Sequence, residues 1–249
     1  MARNTGKKVR RRGRRRKRGF ATWSIGKKIG AVLGGTLLGV VVIGSVILAS
    51  KMNKLSSVKL DTDKLNISDE VKHEKGYTNV ALFGLDSREN DLGKGNRSDT
   101  IIIASLNNDT KEVKLVSIYR DTLLELDDGS YNKANSAYSF GGPEGAVSLI
   151  NRNLDMNIEK YVTVNFNALV DVIGAVGGLD LELTHDEVVH MNNYCVETSK
   201  VTGKSYEKIE PEVEGTYHLN GVQAVSYSRI RYTEGGDFKR AERQRLVLQ

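Results

Sequence analysis

The side chains in this chain best suited to chemistry are arginines and aspartates that recur in short clusters. Asp86 and Arg88 follow one apolar run, Arg97 and Asp99 precede another, and Arg120 with Asp121 follows a third. Near the C-terminus stand Arg229 and Arg231, then Asp237, Arg240 and Gln244. In extended backbone, residues two apart point to the same side, which would pair Asp86 with Arg88, Arg97 with Asp99 and Arg229 with Arg231. On a helix, residues three and four apart share a face, which groups Asp237, Arg240 and Gln244. Guanidinium groups match phosphate oxygens with paired donors. One or two carboxylates can hold Mg²⁺ when phosphate oxygens and water complete its shell. A mixed Arg/Asp set therefore suits a diphosphate with its divalent ion better than a simple anion. The plainer reading stands beside it: each pair alone could be an exposed ion pair of little energetic worth. Asp121 and Asp237 could equally be caps of a turn and a helix.

Other chemistries are poorly provided for. No G-x-x-x-x-G-K, G-x-S-x-G or G-x-G-x-x-G motif occurs with strand and helix context. The one cysteine, Cys195, excludes an intramolecular disulfide and a multi-cysteine zinc site. The 4 histidines show no metal-ligand spacing, so a histidine-rich metal centre is not expected.

The elements that would position these residues read as α/β. Asn79–Phe83 and Thr100–Leu106 are expected strands, the second apolar enough to be covered on both faces. The turn Asn107–Thr110 leads into a further strand, Glu112–Tyr119, paired with its predecessor as a hairpin. Gly145–Leu154 reads as helix and Lys160–Val164 as strand. Phe166, Leu169, Val170, Ile173 and Val176 form one helical stripe that stops at Gly177-Gly178. That stripe is either plain core or the wall of a lipid tunnel, with Val188 and Val189 as alternative wall residues. Leu179–Leu183 alternates as a strand, residues 184–217 show no clear pattern, Asn220–Ser228 reads as helix, and a last helix starts near Asp237. Interleaved strands and helices predict a central sheet covered by helices.

The charge of +6 divides unevenly over the 249 residues. Residues 1–28 are a cationic tail without acidic residues, while in the rest of the chain acidic residues outnumber basic ones. From Ile29 to Ser50 no residue is charged. As a helix this run would be about 33 Å long, enough to cross ~30 Å of hydrocarbon. The Arg/Lys block before it predicts a cytoplasmic N-terminus and an outward body. A cleaved signal peptide fits less well, because the apolar core is long and no clean site follows Ser50. A nucleic-acid arm also fits less well than a topogenic or lipid-bound segment. Residues 51–76 read as a polar stalk or linker, with one short helix near Ser68–Lys75.

The motifs G-L-D-S-R, N-R-S-D-T-I-I-I-A-S-L, V-S-I-Y-R-D-T, N-x-A-Y-x-F-G-G, G-G-L-D-L-E-L, L-N-G-x-Q-A-V-S-Y-S-R-I-R-Y and D-F-K-R-A-E-R-Q-R follow one another from about Asn79 to the end of the chain. Their order and content closely resemble the LytR-CpsA-Psr (LCP) family. The resemblance implies a membrane-anchored extracytoplasmic phosphotransferase. Such an enzyme moves a glycopolymer (wall teichoic acid, capsule or a related chain) from a polyprenyl-diphosphate carrier to peptidoglycan, through a phosphodiester. The implied fold is a three-layer α/β/α arrangement with a central mixed sheet, preceded by one transmembrane helix, with a hydrophobic tunnel for the polyprenyl tail. By motif position, Asp86 and Asp99 are the implied ligands of Mg²⁺ or Mn²⁺. Arg97, Arg120, Arg229 and Arg231 are the implied diphosphate-binding arginines, with Arg88 near them. Asp237, Arg240 and Gln244 match a late D-x-x-R-x-x-x-Q motif. Arg120 and Asp237 are the expected catalytic residues, Asp237 orienting or deprotonating the acceptor hydroxyl. The expected domains are a basic cytoplasmic tail (1–28), a transmembrane helix (29–50), a linker (51–76) and the catalytic domain (77–249). Since family members continue beyond the last motif, the chain is expected to be truncated at its C-terminus. The expected location is the cytoplasmic membrane, crossed once with the N-terminus inside, and no nucleic-acid partner is expected. A hydrolase acting on the same lipid carrier and a non-enzymatic membrane-anchored regulator or binding module are the alternatives.

Overall fold

The structure, a computed structural model, describes residues 58–72, 75–87 and 92–249. The expected basic tail, the apolar run 29–50 and Arg88 lie outside the described residues. Among the described residues no helix is long and apolar enough to cross a membrane.

In chain order the elements are β1 (Tyr77–Leu85), β2 (Ser98–Asn107), β3 (Val113–Ser117), β4 (Leu123–Glu125), β5 (Tyr131–Lys133), α1 (Ser136–Leu154), β6 (Lys160–Val164), α2 (Phe166–Ala175), β7 (Leu179–Leu183), α3 (His185–Thr202), β8 (Gly215–Leu219), α4 (Gly221–Ser228) and α5 (Gly236–Leu248). A four-stranded sheet has the order β3-β2-β1-β6. It is mixed: β1 pairs antiparallel with β2 and parallel with β6, and β2 pairs antiparallel with β3. The hairpin between β2 and β3 is closed by the Asn107 side chain, which accepts from the amides of Asp109 and Thr110.

Alternation along the strands assigns the two faces of this sheet. Phe83, Leu85, Ile101 and Ile103 pack in one core cluster with Tyr138, Val147 and Ile150 of α1. The rings of Phe83 and Tyr138 meet edge to face at 5.3 Å. Leu82 lies opposite both Ile102 and Val162, and these three turn to the other face, where they line a cavity with residues of α2 and α5. The continuous apolar run of β2 is explained by this use of both faces.

Several expectations are corrected. The segment 59–67, read as linker, is bound to the body. Leu65 is 0% exposed within the first core cluster, and its carbonyl accepts from the buried Asn151 amide at 2.9 Å. Of the helix expected near Ser68–Lys75, the described residues 68–72 form only a turn, and a 3-10 turn lies earlier, at Thr62–Lys64. α1 begins nine residues before Gly145, and it kinks at Gly142 (φ 68°) ahead of Pro143. Glycine accepts the positive φ and proline is tolerated where a helix restarts. Residues 184–217, read as irregular, contain α3 and β8. α3 is anchored by a capping box between Thr184 and Glu187. Its buried stripe is short and mixed with polar groups (Val188, Met191, Asn192, Cys195, Thr198), so apolar periodicity was weak.

A second core joins α2, α3, α4 and the β7–β8 hairpin through Val170, Leu183, Val188, Met191, Leu219 and Val225. Val188 is thus core, and neither it nor Val189 lines the cavity. The L-N-G-x-Q motif gains a physical reading here. Asn220 caps α4 in a reciprocal box with Gln223. Gly221 lies so close to α2 that a Cβ would overlap the Val170 carbonyl oxygen.

Candidate functional site

The cavity on the open face of the sheet has a volume of about 560 Å³. One part of its wall is apolar, with Leu82, Ile102, Val162, Phe166, Leu169 and Val247. The other part is strongly polar, with Asp86, Asp99, Arg120, Arg229, Arg231, Arg240 and Gln244. The expected α2 stripe is divided: Val170 and Ile173 are core, Phe166 and Leu169 face the cavity together with Val172, and Val176 is exposed.

Arg120 is held in a tight turn after β3. Its carbonyl accepts from the Asn135 amide at 3.0 Å, and the Tyr119 carbonyl accepts from Thr122 at 2.9 Å. Its guanidinium reaches Asp99 at 2.8 Å and Asp121 at 3.2 Å. Partial burial works against its charge, but Asp99 and then Asp121 outweigh this and hold its pKa above the ordinary arginine value. Arg240 projects from α5, is 8% exposed, and donates to the Asp99 main-chain carbonyl at 3.1 Å and to Asp237 at 3.4 Å. Burial, then the neighbouring Arg231, push its pKa below the ordinary value. Arg231 stands 3.8 Å from Asp99 and 3.4 Å from Asp237. Arg120, Arg231, Arg240 and Lys133 thus share the carboxylates of Asp99, Asp121 and Asp237, four positive charges to three negative, in a partly dry site. An anion that also accepts hydrogen bonds is the natural complement.

Arg229 completes the basic wall by a different route. It is the C-cap of α4 with helical backbone (φ −95°, ψ −12°), not part of the extended segment expected for Arg229-Ile230-Arg231. The turn separates the partners of the two arginines. Arg229 bonds Glu197 at 2.9 Å and Thr198 at 3.0 Å, with Phe166 at 4.4 Å and Tyr194 at 5.4 Å from its guanidinium. Both arginines still line the one cavity.

A smaller cavity of about 200 Å³ lies against the same wall. Asp99, Thr100, Arg120, Arg240 and Gln244 line both. Asp237 borders the smaller cavity and not the larger. It sits in the first turn of α5, whose N-cap is Gly235, so its carboxylate faces Arg231 and Arg240 instead of capping the helix.

Arg97 is not brought to the site: it is exposed and lines neither cavity. The β1–β2 register shifts between Gly84 and Leu85 and the pairing ends at Ser98, so the alternation that aims Asp99 does not carry to Arg97. Arg88 lies outside the described residues. Asp86 is exposed at the polar end of the larger cavity. Among the described residues no group of three or more His, Cys, Asp or Glu could hold a metal ion. Asp86 and Asp99 both line the larger cavity, and two carboxylates are donors of the kind that suits a hard divalent ion whose shell is completed by phosphate oxygens and water.

Residues that sequence reasoning missed include Phe166 as a platform for Arg229, Tyr194, Glu197 and Thr198 on α3, and Arg243. Arg243 is buried and bonds Glu187 at 2.8 Å, Thr233 at 2.6 Å and the Ile230 carbonyl at 3.3 Å. It thereby fixes the loop that carries Arg231. Its position three residues after Arg240 was the available signal, though not its partner.

The model described as LytR_cpsA_psr family matches residues 42–249. The polyisoprenyl-teichoic acid–peptidoglycan teichoic acid transferase TagU of Bacillus cereus (strain AH820) is 35% identical over 237 residues, covering 91% of this chain and 68% of that protein. The structure of TagT bound to LI-WTA superposes with a TM-score of 0.60 at 26% identity, covering 77% of this chain and 70% of that one. The structure of the LytR-CPS2A-psr family protein YwtF (TagT) with bound octaprenyl pyrophosphate lipid gives a TM-score of 0.58 at 25% identity, covering 77% and 71%.

Proposed function

The chain belongs to the LytR-CpsA-Psr family, and we propose that it is a phosphotransferase that moves a glycopolymer, of the teichoic acid class, from a polyprenyl-diphosphate carrier to peptidoglycan. The observation that carries this reading is one cavity whose apolar trough ends at Arg120, Arg229, Arg231 and Arg240. A lipid diphosphate has that division of chemistry: a long apolar tail and a compact, highly charged head. Related proteins named as teichoic acid transferases, and a relative solved with octaprenyl pyrophosphate lipid, support the choice.

In this reading the prenyl tail lies along Leu82, Ile102, Val162 and Leu169, while Arg120, Arg231 and Arg240 grip the diphosphate oxygens. The acceptor hydroxyl attacks the sugar-bearing phosphorus, and the bond from that phosphorus to the lipid phosphate breaks. Positioning and charge neutralisation dominate such a transfer. Asp86 and Asp99 would hold Mg²⁺ or Mn²⁺, which supplies further neutralisation of the phosphate charge. Asp237 orients the attacking hydroxyl or takes its proton. Residues 29–50 would anchor the chain in the cytoplasmic membrane as a single span, N-terminus inside and body outside.

The test is transfer by the full chain in detergent, supplied with a polyprenyl-diphosphate-linked glycopolymer, Mg²⁺ and peptidoglycan fragments. Glycan-linked product is expected, and Arg120→Ala should lower its rate by about 10²–10³-fold. Free sugar phosphate without linked product would make the protein a hydrolase and overturn the transferase reading.

A further inference from the structure

We propose that the smaller cavity is the subsite for the acceptor sugar, with Tyr119 and Phe238 as its stacking platform. This deepens, and rests on, the transferase reading above.

The first argument is the shared wall. Asp99, Thr100, Arg120, Arg240 and Gln244 separate the two cavities and face both. A phosphorus atom held by Arg120 and Arg240 would have the lipid trough on one side and the smaller cavity on the other. In phosphoryl transfer the attacking and leaving oxygens lie roughly in line across phosphorus. If the lipid phosphate leaves toward the trough, the nucleophile must arrive from the smaller cavity.

The second argument is the lining. Tyr119 and Phe238 meet edge to face at 4.7 Å, yet remain 42% and 68% exposed. Beside them stand the carboxylates of Asp121 and Asp237, both exposed. Exposed rings next to carboxylates suit a molecule with an apolar C–H face and several hydroxyl donors, which describes a pyranose. A prenyl chain there would strip water from Asp121 and Asp237 and offer their remaining lone pairs no donor, whereas sugar hydroxyls can donate to them. At about 200 Å³ the space is suited to one sugar ring rather than an extended chain.

The chemistry follows with its proton accounted for. The sugar hydroxyl faces Asp237, its O–H bond breaks as the new P–O bond forms, and the proton passes to the Asp237 carboxylate. The bond between phosphorus and the lipid-phosphate oxygen breaks, and polyprenyl phosphate leaves with that electron pair. Tyr119 and Phe238 touch only the sugar, so they are specificity residues.

The experiment varies donor and acceptor independently with the full chain as wild type, Tyr119→Ala, Phe238→Ala and Phe238→Tyr. Both alanine variants should raise KM for the peptidoglycan fragment about fivefold to tenfold. KM for the lipid donor should stay within twofold of wild type, and Phe238→Tyr should restore acceptor KM. A rise in donor KM instead would assign the cleft to the donor's own sugar, and no change in either KM would leave the rings without a role; each overturns the proposal. Binding of a soluble peptidoglycan fragment alone, read by NMR, decides the matter even if wild type fails to transfer and the transferase reading falls. Binding weakened by about the same fivefold to tenfold in Phe238→Ala supports the subsite, whereas equal binding in the two proteins, or none by wild type, removes it.

Discussion

Arg240 is the residue whose setting says most about the site. Its guanidinium is nine-tenths covered beside two other arginines, and its contacts with Asp237 and the Asp99 carbonyl do not outweigh burial and Arg231, so a bound anion would relieve it. Inorganic pyrophosphate should therefore raise the melting temperature of the wild-type protein, and Arg240→Met should lose most of that rise while remaining folded. Thermal unfolding with and without the ligand measures both. Cys195 gives a contrasting case. Burial holds its thiol up at about 11, so neutral-pH labelling by a maleimide should be slow and should accelerate only on unfolding. Labelling kinetics across a urea series would reveal this. At this scale the sequence was informative where chemistry and motif coincided: Asp86, Asp99, Arg120, Arg229, Arg231, Arg240 and Gln244 all border the larger cavity. It was silent on Tyr194, Glu197 and Thr198, because nothing in the spacing of a mixed polar helix says which arginine will fold against it.

Elements were legible where their apolar pattern was strong. β2 and α2 lie close to their expected limits, while α3 was unreadable because its buried stripe includes Asn192 and Thr198. The short hairpin of β4 and β5 was missed since three-residue strands leave little periodicity. Two predictions belong here. Gly221→Ala would push α4 away from the Val170 carbonyl of α2, lowering stability by roughly 1–3 kcal/mol as overpacking does; denaturant titration measures it. The β7–β8 hairpin carries a pH-dependent brace. His218 faces two acceptors, Asp180 at 2.7 Å and the Gly177 carbonyl at 2.8 Å, and so is best satisfied as imidazolium. The Asp180 hydrogen bond, then that carbonyl, raise its pKa above the ordinary histidine value. Its contribution is present in full below the unfolded-state value of about 6.5 and fades as pH rises through the raised folded-state value. An NMR titration of the ring, with amide exchange at Gly177 and Gly178, should show the turn loosening over that window, and His218→Gln should abolish the dependence.

On the scale of the whole molecule, a buried ion pair holds together helices that enclose the second core. Arg243 and Glu187 tie α5 to α3, and removing one partner strands the other charge. Arg243→Ala should cost about 3–5 kcal/mol of stability, measurable by urea unfolding. A mixed α/β fold with a central mixed sheet was legible from the interleaving of strand and helix patterns. The hollow on one face of that sheet was not, because Leu82, Ile102 and Val162 look the same in sequence whether they meet side chains or empty space. That hollow has a thermodynamic corollary. A ligand whose hydrocarbon enters it supplies the hydrophobic filling the polypeptide leaves out, so occupancy and folding stability rise together. Each catalytic cycle would then begin with a tightened protein and end with a loosened one, and the discharged carrier, still filling the trough, would be slow to depart.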